Sequence, residues 1–248
     1  MSSKEKSSKR VAASRRPLTN EAIQVLNAKS GTLFKGNGER FIDSRKAVRQ
    51  LSKVDPTLGS LIKRVGVFDL KSQTMHTPFG ALAEAIIYQQ ITGRAAAAIH
   101  ARVVQLFHSQ VETLAPEHIL GATEEQLRGA GLSRGKTLAL KDLAAKTLEG
   151  VVPTLEAMET MDDEAIIARL LPVRGVGRWT AEMLLIFRLG RPDVLPVGDY
   201  AIRKAFGLHF REGAFPTPRE VTEYGEHWRP LRTVASWYLW RSLSLPRA

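Results

Sequence analysis

From residue 44 onward, apolar side chains recur at three- and four-residue spacing with few interruptions, in short runs broken by Gly and Pro. Ala47, Leu51 and Val54 share one helical face, and Leu58, Leu61, Ile62 and Val65 share another, on either side of Asp55-Pro56. The same period predicts helices over 79–91 and 95–107, then 116–120, 124–130, 136–148, 162–170, 179–189, 200–206, 219–228 and 231–244. Turns fall at Gly131, at Gly150 to Pro153, at Gly190-Arg191-Pro192 and at Phe215-Pro216. No set of segments with a two-residue period competes with this pattern. The expected fold class is all-α, with two helical lobes and a cleft between them.

Composition narrows the partners. The 248 residues are 44% hydrophobic without a long apolar run, so no membrane-spanning helix is expected. The opening MSSKEKSSKR is basic but has no apolar core, which argues against secretion and for a cytoplasmic, nucleoid-associated or, in a eukaryote, nuclear location. The absence of cysteine excludes disulfides, thiolate zinc sites and a Cys-ligated iron-sulfur cluster. Lys and Arg number 36 against 25 Asp and Glu, a net charge of +11 that favours a polyanionic partner. Lys4, Lys6, Lys9, Arg10, Arg15 and Arg16 crowd the N-terminus against Glu5. Residues 1–45 are therefore expected to be a basic, largely flexible segment ahead of a helical domain over 46–248.

The stretch from Leu171 to Tyr200 carries the chemistry. Arg174-Gly175-Val176-Gly177-Arg178 forms a Gly-rich turn that opens an apolar helix, and Asp199 follows in a Pro/Gly loop at the mouth of the next helix. Glycines let a backbone approach a ligand closely, and the first N–H groups of a helix point at an anion. A helix-helix corner and an N-cap explain the same residues without any ligand.

Four blocks in order give the chain a more specific resemblance: the run from Phe79 to Ile91, Arg174 to Ala181, Leu195-Pro196-Val197-Gly198-Asp199-Tyr200, and Trp228-Arg229-Pro230 through Trp240. Across roughly 47–245 it resembles the helix-hairpin-helix DNA glycosylases with a Gly/Pro-rich loop and catalytic Asp, and within them the 3-methyladenine DNA glycosylase II subgroup. Too little sequence precedes residue 46 for the β-rich N-terminal domain of larger members, so a compact form is expected. The resemblance implies a double-stranded DNA partner with one damaged nucleotide flipped out of the stack, since a stacked base is inaccessible to attack. It implies that Asp199 stabilises positive charge on the sugar and orients or deprotonates water. It implies phosphate contacts from Gly175, Gly177 and the N–H groups of Arg178, Trp179 and Thr180. A monovalent cation, Na⁺ or K⁺, held by the carbonyls of Leu171, Val173 and Val176 is likewise inherited from the family, and no other cofactor is required.

Where strand-cutting relatives carry a Schiff-base lysine, this chain has Trp179, so hydrolysis without lyase chemistry is expected. Trp240 aligns with a pocket tryptophan, with Trp179 bordering the same space and Tyr88 a weaker candidate. Electron-rich rings favour a cationic base such as N3-methyladenine or N7-methylguanine. Met183 stands where some relatives have another pocket aromatic. Gln90, with Ile91, aligns with the wedge that fills the gap left by the flipped nucleotide; in some relatives that wedge is leucine.

Gly135 and Lys136 begin a helix that can supply further phosphate contacts. Trp228 and Trp237 are expected in the core, and Glu84 is expected to be exposed. The six histidines show no metal-ligand spacing. A monomer is expected. Two other functions fit the same motifs: a noncatalytic DNA-binding hairpin module and a glycosylase for uracil or deaminated bases.

Overall fold

The computed structural model describes residues 44–71, 75–107 and 114–246, so the basic N-terminal segment lies outside the described residues. Helices α1 (Ser44–Val54), α2 (Pro56–Val65), α3 (Pro78–Tyr88), α4 (Gly93–Gln105), α5 (Pro116–Gly121), α6 (Glu124–Gly129) and α7 (Arg134–Leu148) come first. They are followed by α8 (Leu155–Thr160), α9 (Asp163–Leu170), α10 (Arg178–Phe187), α11 (Tyr200–Phe210), α12 (Pro218–Gly225), a 3₁₀ turn at Glu226–Trp228 and α13 (Arg232–Ser242). The fold is all-α.

Packing divides the helices into two groups. In the first, α1, α2, α11, α12 and α13 pack together; in the second, α3 and α7 gather α4, α5, α6 and α10, with α9 against α10. One lobe is thus built from both ends of the helical region and the other from its middle. The segment between α10 and α11 crosses from one to the other. It is pinned where Thr233 donates its hydroxyl to the Arg191 carbonyl (2.6 Å) and accepts from the Val194 N–H (3.0 Å).

Caps set most helix starts. Thr77, Thr92, Thr123, Ser133, Thr154 and Thr217 each accept a backbone N–H of the turn they begin. The expected helix over 79–91 stops at Tyr88, because Gln89 leaves helical geometry and Gln90 adopts φ +61°. The helix expected to reach Trp228 ends as α-helix at Gly225 and tightens into the 3₁₀ turn. Periodicity does not announce helix α8, since its six residues include only one buried side chain, Met158.

Asp55 joins local to tertiary structure. Its carboxylate caps α2 by accepting from the Leu58 N–H (2.9 Å) and also accepts from the buried Trp228 indole (2.8 Å). Trp228 and Trp237 are both core residues, as expected. Asp55→Ala removes the cap and leaves the Trp228 N–H without its carboxylate partner, so it is expected to destabilise the fold by about 2–4 kcal/mol. Denaturant unfolding checks this as a lowered midpoint at unchanged slope.

Candidate active site

The predicted turn between α9 and α10 is a hairpin. Val173 N–H bonds to the Leu170 carbonyl and Val176 N–H to the Val173 carbonyl, each at 3.0 Å, while Gly175 takes φ +82°. A side chain at Gly175 would also meet the Ala139 Cβ of α7 at 3.2 Å, so conformation and packing both demand glycine. Gly177 caps α10 from extended backbone. The first N–H to bond back is that of Ala181, to the Gly177 carbonyl, which leaves those of Arg178, Trp179 and Thr180 without a partner inside the helix. These are the groups expected to face a phosphate.

Helix α7 holds the turn from behind. Asp142 accepts from the Arg174 N–H (2.6 Å), and Lys146 bridges Asp142 (2.8 Å) and the Pro172 carbonyl (2.7 Å). Burial alone would raise the Asp142 carboxyl, but the Arg174 N–H and Lys146 together keep it below the usual range. The Arg178 guanidinium is spent on Glu164 (2.9 and 2.6 Å), so its contribution toward an anion comes from its backbone.

Asp199 is the N-cap of α11, as the simplest structural explanation required, and it is more than that. Only 3% exposed, its carboxylate receives three hydrogen bonds. Oδ1 accepts from the Ile202 N–H (2.9 Å) and the Trp240 indole (3.3 Å), and Oδ2 accepts from the Trp179 indole (2.7 Å). The structure therefore brings together three residues separated by 20 and 41 positions in sequence.

Met183 follows Trp179 by one helical turn and Phe187 by two, all half-buried. The Phe187 ring stacks with Trp240 at 6.0 Å and 25°. Reading the sequence alone misses Phe187, although its spacing from Trp179 and Met183 carries the signal. Tyr88 is buried on α3, where burial and the nearby Glu84 carboxylate raise its hydroxyl. Glu84 is not the exposed carboxylate expected: it is half-buried and paired with Arg188 at 2.5 Å. Its partner lies 104 residues away, so no local pattern announces it.

Gln90 is exposed and Ile91 half-buried, in the turn between α3 and α4. Gly135 is exposed near the start of α7, and a Cβ there would meet open space. The Lys136 side chain instead turns inward, with Nζ donating to the Ile87 carbonyl at 2.7 Å, and burial lowers its ammonium from the usual lysine range. Among the described residues there is no cluster of three His, Cys, Asp or Glu side chains able to hold a metal.

A family model described as the HhH-GPD superfamily base excision DNA repair protein matches residues 83–230, and this chain belongs to that superfamily. DNA-3-methyladenine glycosylase 1 of Schizosaccharomyces pombe is 38% identical over 202 residues, covering 81% of this chain and 88% of the relative. The solved structure of the Schizosaccharomyces pombe 3-methyladenine DNA glycosylase in complex with abasic-DNA aligns with a TM-score of 0.70 at 36% identity, over 81% of this chain and 97% of that one. That of DNA-3-methyladenine glycosidase from Bacillus halodurans aligns with a TM-score of 0.71 at 31% identity, over 78% and 87% respectively.

Leu195 and Val197 of the Asp199 loop also line a hollow of about 620 Å³, with Leu185, Val194, Glu182 and a ring of paired arginines and carboxylates. Asp199, Trp179 and Trp240 do not line it, and its arginines are paired with carboxylates. Glu182 is 4% exposed, and burial pushes its carboxyl up to about 7 despite Arg178 at 3.8 Å; Glu164 and Asp199 add to the rise. A carboxyl raised by folding contributes fully below its unfolded value of 4.5, and that contribution is lost as pH rises through 7. Between pH 5 and pH 8 the protein is expected to lose roughly 1–3 kcal/mol that Glu182→Gln retains. Unfolding curves of both proteins at the two pH values test this; parallel pH dependence would contradict it.

Proposed function

We propose that this chain is a monofunctional DNA glycosylase that hydrolyses the N-glycosidic bond of alkylated purines, of the 3-methyladenine and 7-methylguanine type, in double-stranded DNA. The observation that carries the reading is the Asp199 carboxylate, buried and fixed by one backbone N–H and two indoles. Held this way, it presents negative charge to a sugar docked against it. As the bond to the base breaks, positive charge grows on the sugar, and a preorganised carboxylate stabilises that charge without reorganising. The same oxygens can orient the attacking water or take its proton.

The surrounding residues fit this chemistry. The half-buried Trp179, Met183, Phe187 and Trp240 give the site an apolar, aromatic wall on which a flipped base can stack. A cationic alkylated base gains about 0.5–2 kcal/mol from such a ring face and leaves more readily than a neutral one. The indole at position 179 offers no amine, and its N–H is committed to Asp199, which supports hydrolysis over lyase chemistry. The relatives named above are 3-methyladenine glycosylases by description, which supports the same substrate class.

The hairpin N–H groups would anchor a backbone phosphate, and Gln90 with Ile91 would fill the vacated stack. The carbonyls of Leu171, Val173 and Val176 would hold a monovalent cation beside the phosphate; they are neutral oxygens within six residues, and Val173, which accepts from the Val176 N–H, would use its second lone pair. The chain is proposed to act as a monomer in the compartment that holds the DNA.

Asp199→Asn is the direct test, because asparagine preserves the capping acceptor but removes the charge. Base release from methylated duplex DNA is expected to fall about 100-fold to 10,000-fold while DNA affinity stays within a few-fold. Undiminished release would remove Asp199 from the chemistry. Tight binding by the unmodified protein without any release would favour a noncatalytic binding module, and release of uracil or hypoxanthine alone would reassign the substrate.

A further inference from the structure

The turn that carries the wedge is bonded to the turn that grips the phosphate. Gln89 Nε2 donates to the Gly175 carbonyl at 2.9 Å, across 86 residues of sequence. Gly175 is the positive-φ residue of the hairpin, and its carbonyl is not among those assigned to the cation. A third element closes the triangle. Lys136 of α7 donates to the Ile87 carbonyl at 2.7 Å, next to the wedge turn, while Ala139 of the same helix packs against Gly175.

Between these ties stands Gln90, with φ +61°. A non-glycine residue is disfavoured in that region, and it stays there only when its surroundings hold it. Here the chain before it is held by α7 and the hairpin. The chain after it is held by Thr92, which caps α4 by accepting from the Ala95 N–H (3.4 Å). The exposed Gln90 side chain is thus projected from a turn tied both to its own helix, through the Gln89 N–H to the Ile86 carbonyl at 3.4 Å, and to the hairpin, through the Gln89 carboxamide.

We propose that Gln89 is a positioning residue: its carboxamide fixes the wedge turn to the hairpin, so that seating the phosphate and inserting Gln90 into the base stack occur in one register. The inference rests on the DNA glycosylase reading, because it assumes that Gln90 enters the stack. It makes no demand on which base is removed.

Duplex DNA with a tetrahydrofuran abasic analogue and a 2-aminopurine beside it separates the two events, since anisotropy reads docking and 2-aminopurine fluorescence reads insertion. Gln89→Met keeps length but cannot donate, whereas Gln89→Lys restores a donor toward the carbonyl. The unmodified protein is expected to bind with a fluorescence change that Gln90→Ala abolishes. Q89M is expected to bind within about twofold of the unmodified affinity while losing most of that change, the scale set by one exposed hydrogen bond, about fivefold in the inserted population; Q89K recovers it. A full fluorescence change in Q89M overturns the proposal. So does a parallel loss of affinity and fluorescence in a folded Q89M, which would make Gln89 a support of the hairpin alone. A Q89M that does not fold, judged by circular dichroism, would also overturn it, because a half-buried link between two turns would then be a fold determinant. Base release from methylated DNA by the unmodified protein tests the underlying reading separately.

Discussion

The two lobes meet on a carboxylate. Asp199 accepts from Trp179, which belongs to the lobe built from the middle of the chain, and from Ile202 and Trp240, which belong to the lobe built from its ends. A polar group this deeply buried is costly without partners, so the three donors and the carboxylate require one another. Their satisfaction ties the lobe of α11 and α13 to the helix that the hairpin opens. The contact that joins the two lobes is therefore the one that holds the buried carboxylate in place.

The hairpin offers backbone N–H groups, while nearby cationic side chains are already engaged: Arg178 with Glu164, Lys146 with Asp142, and Lys136 with the end of α3. Grip on a backbone phosphate by N–H groups is short-range and directional. A net charge of +11 supplies the long-range attraction that brings DNA to it. In the proposed function the two would be complementary, diffuse charge drawing the duplex in and fixed dipoles setting where it stops.

The helical pattern is readable because most helices bury a face, and the period of that face survives in the sequence. It fails at α8, which contributes Met158 and little else to the core. Asp199 is legible through its local setting, a Gly/Pro loop before a helix, but its hydrogen bonds to two indoles are not, since bonds between residues far apart in sequence leave no spacing. The same reason hides the Glu84–Arg188 pair and the bond from Gln89 to Gly175. Lys136 is visible as a cation at a helix start, yet its length lets it reach a carbonyl of α3. Sequence position locates its backbone correctly and says nothing of where its ammonium goes.

In the proposed reaction water, and no group of the protein, replaces the departing base. Reaction of methylated duplex DNA in ¹⁸O-labelled water, followed by mass spectrometry of the intact strand, addresses it directly. The expected product is an uncut strand that has lost one purine and gained one labelled oxygen at the sugar, with no adduct trapped by borohydride. A strand cleaved at the lesion, or a protein-DNA adduct captured by borohydride, would contradict it.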